Sequence, residues 1–333
     1  MNIFRTLAVS IAVPLAAVSL LCSGATALAQ PAAFPSKPLT LVVNFPPGGA
    51  ADVIGRVLAQ QLGEQLKQQV VVTNRPGANG NIGADAVAKS PADGHTLLMS
   101  SGGAMTVNPF IYASMPFDPA KDLVPVSSAA RVLVFLMAHP SVPVQDAKEF
   151  FAYVKANPGK LSYGSAGSGS SPHLAGEMMK KQLGLFAVHV PYRGAAPALT
   201  DLLAGNVQFM FDPGPGLRHA KEGKLKLLAV GSPKRASAYP DVPTLAESGP
   251  PELRGFDADT VFGVYAPGAT PAAVVTQLHE EINKALGTPR VQEVIRSLGA
   301  EPMVGTRAEF IARQEADRTR FGAFIRENKI TAD

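Results

Sequence analysis

The amino-acid sequence predicts an α/β protein of two domains between which the chain crosses twice. Three observations carry this. Short apolar strands alternate with amphipathic helices over most of the length. The apolar run at residues 131–138 (RVLVFLMA), followed by Pro140 and Pro143, separates two such sets, and after Gly255 the chain returns to a further strand and helices. A double crossing of this kind leaves a cleft between the domains.

The elements follow in order. Residues 39–45 (LTLVVNF) read as a buried strand stopped by Pro46-Pro47-Gly48-Gly49. Ile54, Val57, Leu58, Leu62 and Leu66 then recur at helical spacing opposite Gln60, Gln61, Glu64 and Gln65. A β-branched strand at 70–72, a turn-rich segment at 74–81, a helix at 82–89 and a strand at 95–100 complete a rhythm that predicts a parallel sheet with crossover helices. The run at 131–138 is read as the first crossing. A second set comprises helix 144–156, strand 161–165, helix 172–183, strand 189–191, helix 195–204, strand 207–211, helix 217–222 and strand 226–230. Strand 261–266, helices 271–285 and 289–298 and a last helix at 307–328 return the chain. Hinge closure is expected about the two crossings, near 131–138 and 253–259.

Composition excludes several classes. With 46% apolar residues among 333, the chain has material for ordinary cores and is not disordered. Its net charge of +4 is spread thinly, without a basic stripe, which argues against nucleic acid as a partner. Arg5, an apolar stretch at 7–21 and Ala27-Leu28-Ala29 form the layout of a secretory signal, expected to be cleaved after Ala29 with export to the periplasm. Pro14 and the short length disfavour an anchor, and Leu21 before Cys22 disfavours a lipoprotein. Cleavage removes the single cysteine, so the mature chain depends on packing rather than disulfides.

Three strand-end turns lack bulky side chains: Pro46 to Gly49, Ser100 to Gly103, and Ser165 to Ser171 before Pro172. Each leads toward a helix whose first N–H groups are free to meet an anion. No Walker lysine follows these glycines, and Gly167-Ser168-Gly169 lacks the third glycine of a dinucleotide fingerprint. A carboxylate fits better than a nucleotide phosphate. Catalytic signals are scarce: there is no Gly-x-Ser-x-Gly elbow, and the six histidines show no metal-ligand spacing. His173 either faces a ligand or satisfies local polar groups. Asp212 either accepts a ligand hydroxyl or amine, or initiates the turn at Pro213. Arg193 either pairs with a carboxylate or is simply solvated.

These segments carry a family resemblance. LVVNFPPGGAADVIGRVLA, VVVTNRPGANGNIGADAVA, ANPGKLSYGSAGSGSSPHLAGEMM and VHVPYRGAAPALTDLLAGNVQFMFD, with others along the whole mature length, resemble the Bug (TctC-like) extracytoplasmic solute-binding receptors of tripartite tricarboxylate transporters. The resemblance implies a type II periplasmic-binding-protein fold, with residues 30–134 and 256–333 in one domain and 135–255 in the other. It implies a monomer that captures a small carboxylate for membrane subunits, without catalysis or cofactor. The ligand-binding residues it implies are Phe45, Pro47, Gly48, Gly49 and Asp52, with Ser165, Ala166, Gly167, Ser168, Ser170 and His173; it extends to Ser100, Ser101, Tyr192, Gly194 and Asp212. Departures from the family pattern are Asn44 for proline, Val261 and Phe321 for tryptophan, and the turn Pro213-Gly214-Pro215-Gly216. The alternatives are a binding protein that feeds a sensor kinase and an exported hydrolase using Ser168 and His173.

Overall fold

The computed structural model describes residues 34–332; the expected export signal at 1–29 lies outside them. Eleven strands occur among the described residues: β1 (Leu39–Val43), β2 (Val70–Asn74), β3 (Thr96–Ser100), β4 (Leu123–Val132), β5 (Phe135–Ala138), β6 (Ser162–Ser165), β7 (Val188–Pro191), β8 (Phe209–Asp212), β9 (Lys226–Val230), β10 (Thr260–Pro267) and β11 (Glu301–Pro302). They build two sheets, ordered β11-β4-β10-β3-β1-β2 and β7-β6-β8-β5-β9. Helices cover both faces of each sheet, giving two α/β lobes.

The helix Ala50–Leu66 shows how the pattern becomes packing. It buries Ile54, Val57, Leu58 and Leu62 against Leu41 and Val43 of β1 and against Leu278 and Ile282 of the helix Ala272–Leu286. Each such side chain contributes about 1.5–3 kcal/mol when fully removed from water. That burial, not the loop sequence alone, holds the helix start at the edge of the cleft.

The sheets are mixed, not parallel as the alternation predicts. β1, β2 and β3 run parallel, and so do β6, β7 and β8, with their carboxyl ends toward the cleft. β10 runs antiparallel to β3 and β4, and β5 runs antiparallel to β8 and β9. The reason is the double crossing: β5 and β10 each enter their sheet from the other lobe, so they start at the cleft and run away from it. The apolar run at 131–138 is divided accordingly. Its first residues end β4, Leu133 and Val134 cross, and Phe135 starts β5. The part of β4 before Arg131 was hidden in the sequence because Pro125, Ser127 and Ser128 interrupt its apolar pattern.

The lobes touch at glycines. A Cβ on Gly194 would come within 2.5 Å of the Pro46 ring, and one on Gly214 would strike the Leu298 carbonyl. Both glycines have left-handed φ, +136° and +121°. The unusual turn at 213–216 thus presents bare backbone to the opposite lobe.

Candidate functional site

The loop after β1 is fixed from below. Asp52, in the first turn of its helix and 5% exposed at the side chain, accepts from the Gly48 amide (3.0 Å), Arg56 Nε (3.0 Å) and Asn74 Nδ2 (2.9 Å). Asn74 also donates to the Phe45 carbonyl (3.0 Å), so one carboxylate secures both ends of the turn. Burial opposes ionisation of Asp52, but the bonds from Arg56, Gly48 and Asn74 outweigh it and hold its pKa below the usual aspartate value. Asp52→Ala is expected to lower stability by about 1–3 kcal/mol at pH 7, through the loss of charge-assisted hydrogen bonds. Because the folded pKa is depressed, this contribution is present above pH ~4 and is lost on further acidification. Urea unfolding of both proteins at pH 7 and pH 3 checks this; an equal difference at the two pH values would refute the assignment.

Asn44, just before Phe45, donates to the Gly80 carbonyl (3.1 Å) and to Ser100 Oγ (3.0 Å), and the Gly102 amide reaches the same hydroxyl (3.3 Å). A Cβ on Gly80 or Gly83 would collide with Asn44, so these glycines make its room. The departure from proline therefore binds three loop ends together.

The serine-glycine loop after β6 rests on a column of rings. Ser165 Oγ lies 2.7 Å from His189 Nε2 and accepts from the Gly167 amide (3.2 Å), while His173 Nδ1 accepts from the Gly169 amide (2.9 Å). The two imidazoles stack with centroids 4.0 Å apart and planes 16° apart, and Tyr163 lies against His189 at 4.9 Å. Burial depresses both histidines, His173 to about 4 and His189 to about 3. For His173 the Lys180 charge acts in the same direction against Glu177; for His189 the His173 and Lys180 charges add to burial. His173 thus satisfies the loop backbone, and its side-chain partners do not include Ser168.

Above these supports lies a narrow cavity with about 420 Å³ of empty space. Three helices point their N-termini at it: Ala50–Leu66, Ser171–Leu183 and Ala195–Ala204, which contribute Gly49, Ala50 and Ala51, then Ser170, Ser171 and Pro172, then Ala195. Their cap residues Gly49, Ser170 and Gly194 make no side-chain cap bond. Asp146, Thr244 and Thr306 cap helices away from the cavity, although the helices after Pro271 and Thr288, also away from it, lack a side-chain cap too. Ser170 is 6% exposed, and its Oγ has no partner among the described residues. Phe45, Pro46, Ala166, Pro213 and Phe262 supply apolar walls and Ser101 a further hydroxyl. Among the described residues no charged side chain lines the cavity, so N–H dipoles and hydroxyls set its polarity, and that polarity favours an anion.

Of the residues named from sequence, Phe45, Gly49, Ser101, Ala166 and Ser170 line this cavity. Gly167, Ser168 and Tyr192 line an adjoining chamber, together with Phe45 and Ala166. Gly48 borders a separate cavity. Asp52, Ser100, Ser165 and His173 lie behind the loops as braces, Gly194 is at the lobe seam, and Pro47 is exposed on its loop. Asp212 is wholly buried; its Oδ1 accepts from the Gly214 and Gly216 amides at 2.8 Å each, and its Oδ2 has no partner among the described residues. Pro46 and Pro213 are legible from the sequence only as turn residues, and Ala50, Ala195 and Phe262 not as site residues at all. Their apolar side chains carry no chemical signal, and only the meeting of the lobes gathers them.

Two α/β lobes joined by paired crossings, with a cleft between facing strand ends, define a solute-binding protein of the type II periplasmic class. The model of the tripartite tricarboxylate transporter family receptor matches residues 54–330. The protein BugT of Bordetella pertussis (strain Tohama I) is 38% identical over 308 residues, covering 92% of either chain. Among solved structures, the periplasmic binding protein BugD aligns with a TM-score of 0.83 at 32% identity, covering 90% of this chain and 99% of that one. Rpa4515 of R. palustris, solved with adipate, aligns with a TM-score of 0.85 at 35% identity, again over 90% and 99%. The chain belongs to this family of Bug receptors, which are periplasmic solute-binding proteins and not enzymes.

Proposed function

We propose that this receptor captures a small organic acid in the central cavity and delivers it, as a monomer exported by cleavage after Ala29, to the membrane subunits of a tripartite transporter. The observation that carries the reading is the convergence of three helix N-termini without side-chain caps on one cavity that also holds the unpartnered Ser170 hydroxyl. A carboxylate placed there meets several donors at once, each helix end contributing about 0.3–1 kcal/mol, more when partly buried. The apolar walls suit the carbon chain behind it. Adipate in Rpa4515 supports an acid of this kind. Strand membership supports domains of 30–134 with 256–333, and 135–255, which close on the ligand about the crossings at 131–138 and 253–259.

The test is a thermal-shift screen of mono-, di- and tricarboxylates, with the corresponding primary amides as controls, on protein stripped of retained ligand. At a concentration a hundredfold above the dissociation constant, the matching acid is expected to stabilise by about 2.7 kcal/mol. The same sample should compact in small-angle scattering. Stabilisation by no carboxylate, or equally by an uncharged amide, would overturn the reading.

A further inference from the structure

Leu174 ties the cavity-facing end of the second lobe to the first. It lies in the first turn of the helix Ser171–Leu183, its amide bonded to the Ser170 carbonyl (2.9 Å), just after the Ser170, Ser171 and Pro172 that border the cavity. Two inward residues of the same helix, Ala175 and Met179, pack in the core of their own lobe with Tyr163 and Phe209. Leu174 does not join them. It is wholly buried in a separate cluster with Val107, Ile111, Phe321 and Ile325, all of the first lobe. Val107 and Ile111 follow β3, and Phe321 and Ile325 belong to the last helix, Arg307–Asn328.

The loop before Leu174 fits the same wall. Gly169 runs so close to it that a Cβ there would strike Ile111 Cδ1 and come within 3.3 Å of Val107 Cγ1. The wall is braced from behind, because the Ala332 amide donates to the Ile111 carbonyl (3.0 Å) and Ile330 packs against the cluster. Other meeting points of the lobes hold less. Gly194 and Gly214 offer bare backbone to Pro46 and Leu298, and Tyr239 Oη reaches the Ser297 carbonyl only at 3.4 Å. Leu174 instead takes a whole aliphatic side chain out of water, and opening of the cleft gives that burial back. The gain exists only in the closed arrangement, so it adds to the affinity for whatever the cavity holds.

Resting on the reading that the lobes close on a carboxylate in the central cavity, we propose that Leu174 is a positioning residue for capture. Seated in the first lobe, it locks the helix end that carries Ser170 and Ser171 over the cavity. It thereby sets how tightly the ligand is held without choosing which ligand it is.

Isothermal titration with butyrate, succinate, adipate and citrate tests this. Leu174→Ala is expected to weaken each acid that the wild type binds by about the same factor, roughly tenfold or more, as the burial of one such side chain allows. Leu174→Met, which keeps most of the volume, should restore binding to within about threefold of the wild type. Ile111→Ala, on the opposite side of the contact, should weaken the same acids, and the double variant should be little weaker than the weaker single. Circular dichroism first confirms that each variant is folded; should Leu174→Ala fail to fold, Ile111→Ala and Leu174→Met decide. A Leu174→Ala protein that binds within about twofold of the wild type, or that loses one acid far more than another, overturns the proposal. If the wild type binds none of the four acids, the reading of the cavity is what has failed. The seat is then judged by small-angle scattering of ligand-free protein, where Leu174→Ala must be more extended than the wild type, and an unchanged radius of gyration overturns it.

Discussion

Arg131→Met is expected to lower the unfolding free energy by about 3–5 kcal/mol at neutral pH. Arg131, next to last in β4, meets Asp259, which directly precedes β10, through both Nε and Nη2; its Nη1 lies 3.0 Å from Glu301 and its Nη2 3.0 Å from Ser232 Oγ. Ser232 follows β9 in the other lobe and donates to Asp259 at 2.8 Å. One ionic cluster thus ties both crossings. Burial works against the charge on Arg131, but Asp259 and Glu301 outweigh it and hold its pKa above the ordinary arginine value. Methionine would fill much of the volume yet leave a wholly buried carboxylate with little beyond the Ser232 hydroxyl. Burial already pushes Asp259 up to about 6 against Arg131 and Ser232. Without Arg131 its carboxyl either stays charged and unpaired or takes up a proton at a cost, and this, not lost attraction, is the larger part of the effect. The double variant Arg131→Met with Asp259→Leu should therefore recover much of the stability, because an apolar replacement of the whole pair is often tolerated. Denaturant titration of the three proteins measures this. A loss under about 1 kcal/mol in the single variant, or no recovery in the double, would show that the cluster does not work this way.

The histidine column predicts acid sensitivity of the second lobe. His173 and His189 are depressed to about 4 and about 3, so between pH ~6.5 and those values the unfolded chain takes up protons that the folded chain refuses. Stability is lost as pH falls through that window. For a shift of the size seen at His173, the loss approaches about 3 kcal/mol by pH ~4. Asp212 works in the opposite sense: burial pushes it up to about 6, against the Gly216 and Gly214 amides, so the folded state binds its proton more readily. Wild-type stability alone would blend the two effects. The discriminating measurement is the difference between wild type and His189→Gln from pH 7 to pH 4, which should shrink steadily as the wild type loses its advantage. A difference constant across that range would mean that the imidazole is protonated as easily in the folded protein as in the unfolded one.

The polypeptide's local chemistry is legible in its sequence. Pro46 to Gly49 stop β1, Pro172 starts a helix after a serine, and the spacing of Ile54, Val57, Leu58 and Leu62 places the helix Ala50–Leu66, because turns and periodic faces depend on residues near each other in the chain. The small residues at strand ends were visible for the same reason, and Phe45, Gly49, Ala166 and Ser170 do stand around the cavity. What the residues at Arg131, Asp259 and Ser232 do together could not be read, since they are brought together only where two crossings run side by side. Likewise, nothing near His189 announces Ser165.

Local pattern in the chain discloses the two α/β sets, their double connection and the side-chain-poor loops that end the strands. Tertiary structure alone decided the reversed direction of β5 and β10, the braces behind each loop, and the enclosure of the cavity by Ala195, Pro213 and Phe262. The physical reason is that strand direction, burial and the meeting of unlike polar groups depend on contacts between distant segments, which exist only once the lobes have folded and closed.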